Sequence, residues 1–245
     1  MIFYQRLRPF QAISFDLDDT LYNNYPYIVQ AEQALLKFMS SEFDKLSSWD
    51  AATWRKLKIG VIKQMPHLAH DTGAARFNTL KTGLELVGYQ ADIAHQGAQA
   101  GLEHFLYHRS NFSVDDSVLA TLTNLAKHVP LVGISNGNVD SARIGLASVF
   151  EFVQHPGNGL KMKPAIDMFN HSAAALGIKA SEFLHVGDSY KADVQGARRA
   201  NAQVAWLNPA MGRKPRTCAT GQLPNVCINH IDELVQLMHF ATPAR

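Results

Sequence analysis

The chain has 245 residues, 47% of them hydrophobic, and its 23 basic and 21 acidic residues leave a formal charge of only +2. That size suffices for one large or two modest domains with a substantial core, and the composition excludes a disordered chain. So even a charge gives no electrostatic case for nucleic acid or an anionic membrane, and no apolar stretch reaches the ~20 residues of a membrane span.

The amino terminus carries Arg6, Arg8 and Pro9 inside its first apolar stretch, unlike a cleaved signal peptide, so a cytosolic protein is expected. Ala12, Ile13 and Phe15 then predict a buried strand with Asp16 at its carboxyl end, where ligands bind in an open parallel sheet. Side chains two apart on a strand share a face, so Asp16 and Asp18 could converge on one ligand while Asp19 points away. Two carboxylates so placed suit a nucleophile and an acid beside one metal ion. The plainer reading is an Asp-rich turn that closes a strand.

Residues 21–134 are far too many for one crossover between strands. Ile28, Ala31, Leu35, Phe38 and Met39 recur at helical spacing after Pro26, which predicts a helix over 27–43. Trp54, Leu57, Val61, Ile62 and Met65 do the same over 49–65, and Ala75, Leu80, Leu84 and Val87 over 72–87. A fourth helix is predicted over 91–108. Four amphipathic helices with short joins predict a small helical bundle. The chain re-enters the core near Asn111 to Val114, before a helix that runs through Lys127.

From there the pattern alternates as strands and helices do in a doubly wound α/β fold. An apolar strand over 131–134 ends in Ser135, Asn136 and Gly137. A strand is predicted over 152–155, then Lys161 and Lys163 precede a helix over 164–176. The strand Leu184-His185-Val186-Gly187 runs into Asp188, followed by a helix over 194–200, a strand over 204–207 and a closing helix over 231–238. Gly187 permits close backbone approach, or simply ends its strand.

Other features read as ordinary structure. Arg213-Lys214-Pro215-Arg216 is a solvated loop. Cys218 and Cys227 stand in neither a CxxC nor a zinc-ligand arrangement and are expected as reduced thiols. His104 and His108 are four apart on a helix but lack a third ligand for zinc. His185 is expected as a satisfied core residue.

Four segments in fixed order, Phe15-Asp16-Leu17-Asp18-Asp19-Thr20-Leu21, Leu131 to Gly137, Gly159 to Pro164 and Leu184 to Asp193, together resemble the four motifs of the haloacid dehalogenase-like superfamily of phosphohydrolases. The resemblance implies a Rossmann-like core over 1–22 and 111–245, with an inserted helical cap of the first type over 23–110. It implies that Asp16 attacks phosphorus to form an aspartyl-phosphate, and that Asp18 acts as general acid and then general base. Ser135, Asn136 and Lys163 would hold the phosphate, with Lys163 favoured over Lys161 because it directly precedes proline.

Asp16, the Asp18 carbonyl and Asp188 would ligate Mg²⁺, a hard cation that suits oxygen ligands, while Asp193 orients that shell by hydrogen bonds. Asn23, Asn24 and Tyr25, just past the first motif, are the candidates for substrate contact. The opening run and the second and fourth motifs look most like the bacterial YigB-type phosphatases. These act on small-molecule phosphates, including flavin mononucleotide (FMN) and the ribitylaminouracil phosphate of riboflavin synthesis. Sugar-phosphate or nucleotide hydrolysis, a phosphomutase and a non-enzymatic phosphate-binding module are the alternatives. A dehalogenase of the same superfamily would need neither Asp18 nor Asp188.

Overall fold

A computed structural model describes residues 1–215 and 221–242; Arg216 and Cys218 lie outside the described residues. In chain order the elements are β1 (Ile2–Phe3), β2 (Ala12–Phe15), α1 (Tyr25–Glu42), α2 (Ala51–Gln64), α3 (Thr72–Leu86), α4 (Ala91–Arg109), α5 (Asp116–Ala126), β3 (Leu131–Ile134), β4 (Phe152–Gln154), α6 (Asp167–Ala175), β5 (Phe183–Gly187), α7 (Gly196–Arg199), β6 (Gln203–Leu207) and β7 (Val226–Ile228), closed by a 3-10 helix at Ile231–Phe240. They fall into two compact units. One comprises Met1–Asn24, Ser113–Gly137 and Ser141–Arg245, and the other Tyr25–Phe112 with Asn138–Asp140.

The first unit is built on a seven-stranded sheet of order β1-β7-β6-β5-β2-β3-β4. Every neighbouring pair is parallel except β1 with β7. Each residue of β2, β3, β5, β6 and β7 is buried, which explains why these strands read as continuous apolar runs instead of alternating ones. The chain builds outward from β2 through β3 to β4, then crosses to the other flank of β2 and builds through β5, β6 and β7. The strand order therefore reverses beside β2, and at such a reversal the carboxyl ends of a parallel sheet open a crevice.

Several elements differ from expectation for identifiable reasons. β1 and β7 are two and three residues long, too short to show a period, and pair with each other at the sheet edge. The helix expected from Pro164 begins only at Asp167, because the Ala165 amide closes a turn onto the Met162 carbonyl at 3.1 Å. The helix expected over 194–200 opens earlier, as a π-helical turn at Tyr190–Gln195 capped by the Ser189 hydroxyl. The closing segment has helical periodicity but is wound as a 3-10 helix. Cys227 is buried and forms no disulfide among the described residues.

The second unit contains the four long helices α1 to α4, one for each amphipathic stretch. Ala31, Leu35 and Met39 of α1 meet Leu80 and Leu84 of α3 and Ala94, Ala98 and Phe105 of α4 in a shared core. Asp50 and Asp71 start α2 and α3 by accepting the N–H groups of Thr53 and Ala74, each at 2.8 Å. Such caps satisfy amide groups that the helix itself leaves unpaired. No helix among the described residues is long and apolar enough to cross a membrane.

Candidate active site

Three adjacent strands bring two acids and a hydroxyl to the crevice: Asp16 follows β2, Ser135 follows β3 and Asp188 follows β5. All three side chains are buried. Backbone bonds fix their positions. The Asp16 amide donates to the Val186 carbonyl at 2.8 Å and the Ser135 amide to the Gln154 carbonyl at 3.1 Å. The Asp188 carbonyl accepts the Trp206 indole N–H at 2.8 Å.

Lys163 is only 2% exposed. Its ammonium donates to Asp16 Oδ1 at 2.7 Å, to Asp193 Oδ1 at 2.8 Å and to the Ile134 carbonyl at 2.5 Å, so each of its three N–H groups has an acceptor. Lys161 is exposed and has no part in this network. Asn136 holds the lysine's backbone from both sides. Its Nδ2 donates to the Lys163 carbonyl at 2.9 Å and its Oδ1 accepts the Lys163 amide at 2.7 Å. The Asn136 side chain is thus committed to placing Lys163.

Asp193 completes the cluster. Its Oδ2 accepts the Ser189 amide at 2.8 Å, and its Oδ1 also meets His185 Nε2 at 3.2 Å. The other ring nitrogen of His185 lies 2.9 Å from Ser14 Oγ. Burial lowers the His185 pKa, so the ring is neutral; a proton on Nε2 and an acceptor at Nδ1 satisfy both contacts. The carboxyl of Asp193 lies against Gly187, where a Cβ would collide with its Cγ. Only glycine leaves that space.

Asp18 is not placed by a strand, since β2 ends at Phe15. The chain turns instead, with the Thr20 and Leu21 amides donating to the Leu17 carbonyl at 3.2 and 2.9 Å. In this turn the Tyr22 hydroxyl donates to Asp18 Oδ1 at 2.6 Å. Asp18 Oδ2 lies over Gly137, 2.7 Å from where a Cβ would stand, and the Ser135 hydroxyl is 3.3 Å from the same point. Asp19 adopts φ 58° and faces elsewhere, accepting the Asn24 amide at 2.8 Å and Arg213 at 3.0 Å. The solvated loop expected at Arg213 therefore also braces the turn. Asn23 packs against Gly212, and Tyr25, the first residue of α1, is exposed.

Charge in this cluster is unbalanced. Asp16, Asp188 and Asp193 each offer an oxygen, and these oxygens lie within 4.8 Å of one another. Against three buried carboxylates stands one ammonium. Burial pushes the pKa of Asp193 up, but Lys163 and His185 outweigh it and pull that carboxyl down to about 2. Asp16 stays raised well above the carboxylate range, first by burial and then by Asp193 and Asp188, despite Lys163. A further positive charge beside Asp16 and Asp188 would remove that penalty, and an all-oxygen donor set is the kind a hard divalent cation takes. Asp193 spends Oδ1 on Lys163 and His185 and Oδ2 on the Ser189 amide, bonds that suit it to orienting the cluster.

The arrangement thus has a carboxylate held by an ammonium, a second acid braced by a phenol, and a hydroxyl that shares the space over Gly137 with the second acid. Sequence reasoning did not find Tyr22, Trp206, Ser14 or the link from His185 to Asp193. A signal existed for His185, whose place two residues before Gly187 puts it on a fully buried strand where a ring must find partners. The Tyr22 contact depends on a turn that no periodicity encodes.

Residues 10–201 match the haloacid dehalogenase-like hydrolase family, and the chain belongs to that family as a phosphatase. It is 35% identical over 238 residues, 97% of this chain and 100% of the relative, to the 5-amino-6-(5-phospho-D-ribitylamino)uracil phosphatase YigB of Escherichia coli. Among solved structures, a 2-haloacid dehalogenase from Pseudomonas syringae superimposes with a TM-score of 0.87 at 31% identity, covering 94% of this chain and 98% of the other. The magnesium-bound HAD-hydrolase YfnB of Bacillus subtilis shares the fold, with a TM-score of 0.62 at 18% identity over 95% of this chain and 100% of the other.

Proposed function

We propose that this phosphatase is Mg²⁺-dependent and hydrolyses small phosphate monoesters through an aspartyl-phosphate on Asp16, with 5-amino-6-(5-phospho-D-ribitylamino)uracil or FMN as substrate. One observation carries the reading: Asp16, Lys163, Asp188 and Ser135 meet in one buried crevice at the switch point of the sheet. The first substrate is that of the relative at 35% identity, and FMN comes with the resemblance of the motifs.

Asp16, Asp188 and the Asp18 carbonyl would hold the cation, which when bound supplies positive charge to the phosphoryl oxygens and to the Asp16 carboxylate. The work of the chain itself follows from its geometry. Lys163 fixes Asp16 Oδ1, leaving Oδ2 to attack phosphorus as the ester oxygen departs. Lys163 and the Ser135 hydroxyl stabilise charge on the transferring group. Asp18, standing over Gly137 beside Ser135, gives a proton to the leaving oxygen and later takes one from the water that attacks the aspartyl-phosphate, which releases phosphate and frees the Asp16 carboxylate. Asn136 keeps the lysine in register and Asp193 keeps the ammonium oriented. The helical unit is read as a cap over 23–110 inserted into a core of 1–22 and 111–245, and Asn23, Asn24 and Tyr25, which directly follow the first motif, are the substrate-contact candidates.

A phosphate-release panel with magnesium tests the reading, comparing FMN and the ribitylaminouracil phosphate with sugar and nucleoside phosphates. Turnover concentrated on the first two supports the substrate assignment; turnover concentrated on sugar or nucleoside phosphates replaces it. A second reading, dehalogenation, has the Pseudomonas syringae structure in its favour. Asp18 and Asp188 argue against it, since displacement of halide needs neither a proton donor nor a cation. Chloride release from 2-chloropropionate that exceeds phosphate release would decide for it.

A further inference from the structure

The helical unit contains a cavity of about 340 Å³ between α1, α2 and α3, within the range of small-molecule sites. Leu36 and Met39 of α1 and Trp54 of α2 give it an apolar wall, while Arg55, Lys58 and Arg76 carry its charge. Glu32 is the one carboxylate among the described lining residues, and it is already taken. Arg76 binds it through both terminal nitrogens, at 2.7 and 3.1 Å, and lies 3.5 Å over the Phe105 ring. The Nε–H of the same guanidinium is buried with no partner among the described residues.

Lys58 thus shares a half-buried wall with Arg76, whose positive charge works against its own. Burial first, and Arg76 second, push its pKa down, and Glu32 offsets them only in part. Three cations and one committed carboxylate around an apolar cavity leave positive charge that nothing in the wall neutralises. Lys58, half out of water on an apolar wall, gains from an anionic partner, and the exposed Arg55 beside it adds attraction of the same sign.

We infer that this cavity binds a small organic anion with a flat apolar body, its carboxylate or phosphate on Lys58 and Arg55 and its body along Trp54, Leu36 and Met39. The site lies wholly within the helical unit and does not depend on the reading of the crevice at Asp16. Its occupant is either a separate effector or a phosphate ester that also visits the crevice, and competition separates the two sources.

The test is calorimetric titration of the full chain with 2-naphthoate and with uncharged 2-naphthalenemethanol, each repeated in millimolar inorganic phosphate. The naphthoate should bind saturably with 1:1 stoichiometry and about tenfold or more tighter than the alcohol, since a charge-assisted bond to a half-buried cation contributes that much. Lys58→Met, which keeps the apolar stem, should remove that advantage and leave the alcohol unaffected. Arg55→Gln, on the exposed side of α2, gives an independent check should Lys58→Met fail to fold. Phosphate that displaces the probe equally from the native chain and from Lys58→Met would put the probe at Asp16 and overturn the inference. So would equal affinity for acid and alcohol, or unchanged naphthoate affinity in a folded variant.

Discussion

In the sheet unit Lys163 is buried with an acceptor on each N–H group, and the carboxylates it binds are themselves held by Ser189, His185 and the strand backbone. In the helical unit most polar groups stay near the surface and serve the helices. Asp50 and Asp71 cap, Lys45 binds the Gly88 carbonyl, and Lys81 pairs with Glu85 across one turn. The first arrangement requires several residues far apart in sequence to meet within tenths of an ångström around one buried ammonium; the caps and the one-turn pair of the second need only neighbours. Substitutions around Lys163 should therefore act on chemistry and stability together, and those at the helix caps Asp50 and Asp71 on stability alone.

The largest separation should come from Asp16→Asn, which removes the attacking oxygen while keeping shape. Turnover should fall by about 10⁴-fold or more with unchanged circular dichroism; full activity would refute the nucleophile. Lys163→Ala should cost about 10²- to 10³-fold in kcat and, because Asp16 and Asp193 lose their cation, about 3–5 kcal/mol of stability. Lys161→Ala should do neither, and the reverse order in urea melts and assays would move the motif by two positions.

The buried network also sets an acid limit. Asp193 ionises at about 2 in the folded chain, against about 3.9 for an unfolded one, so the folded state holds fewer protons between those values. The stability gained, on the order of 2 kcal/mol, is fully present above about pH 5 and disappears as pH falls toward 2. The gap in urea midpoint between the native chain and Asp193→Asn should narrow over that window; a constant gap would sever the link.

Smaller effects sharpen the contrast. Tyr22→Phe removes one neutral hydrogen bond to Asp18 and should lower kcat about three- to tenfold on alkyl phosphates, with KM unchanged. Nitrophenyl phosphate, whose leaving group needs little protonation, should be spared. Equal loss on both substrates would make Tyr22 merely structural. In the helical unit Asp71→Ala should cost about 1 kcal/mol in thermal or urea unfolding and leave kcat on either substrate within error.

The same contrast explains what the sequence made legible. Apolar periodicity located α1 to α4 within a few residues because each helix buries one face, and continuous apolar runs located β2, β3 and β5 because both faces of the sheet are covered. Asp16 and Asp188 stood out as acids at the ends of such runs. Sequence could not show that the Asn136 side chain is committed to the backbone of Lys163, that Tyr22 holds Asp18, or that Trp206 anchors Asp188. These depend on turns and register, where a side chain bonds a partner with no fixed spacing from it. Ile2–Phe3 and Val226–Ile228 escaped because so few residues carry no period.

The grip of Asn136 on Lys163 has a practical corollary. Because one amide clasps the peptide of a residue 27 positions away, much as a neighbouring strand would, the lysine takes its address from Asn136 and not from the turns that lead to it. Loops between Gln154 and Lys163 can accordingly be lengthened or exchanged to reshape the rim of the crevice without retuning its charge, provided that single asparagine is left alone.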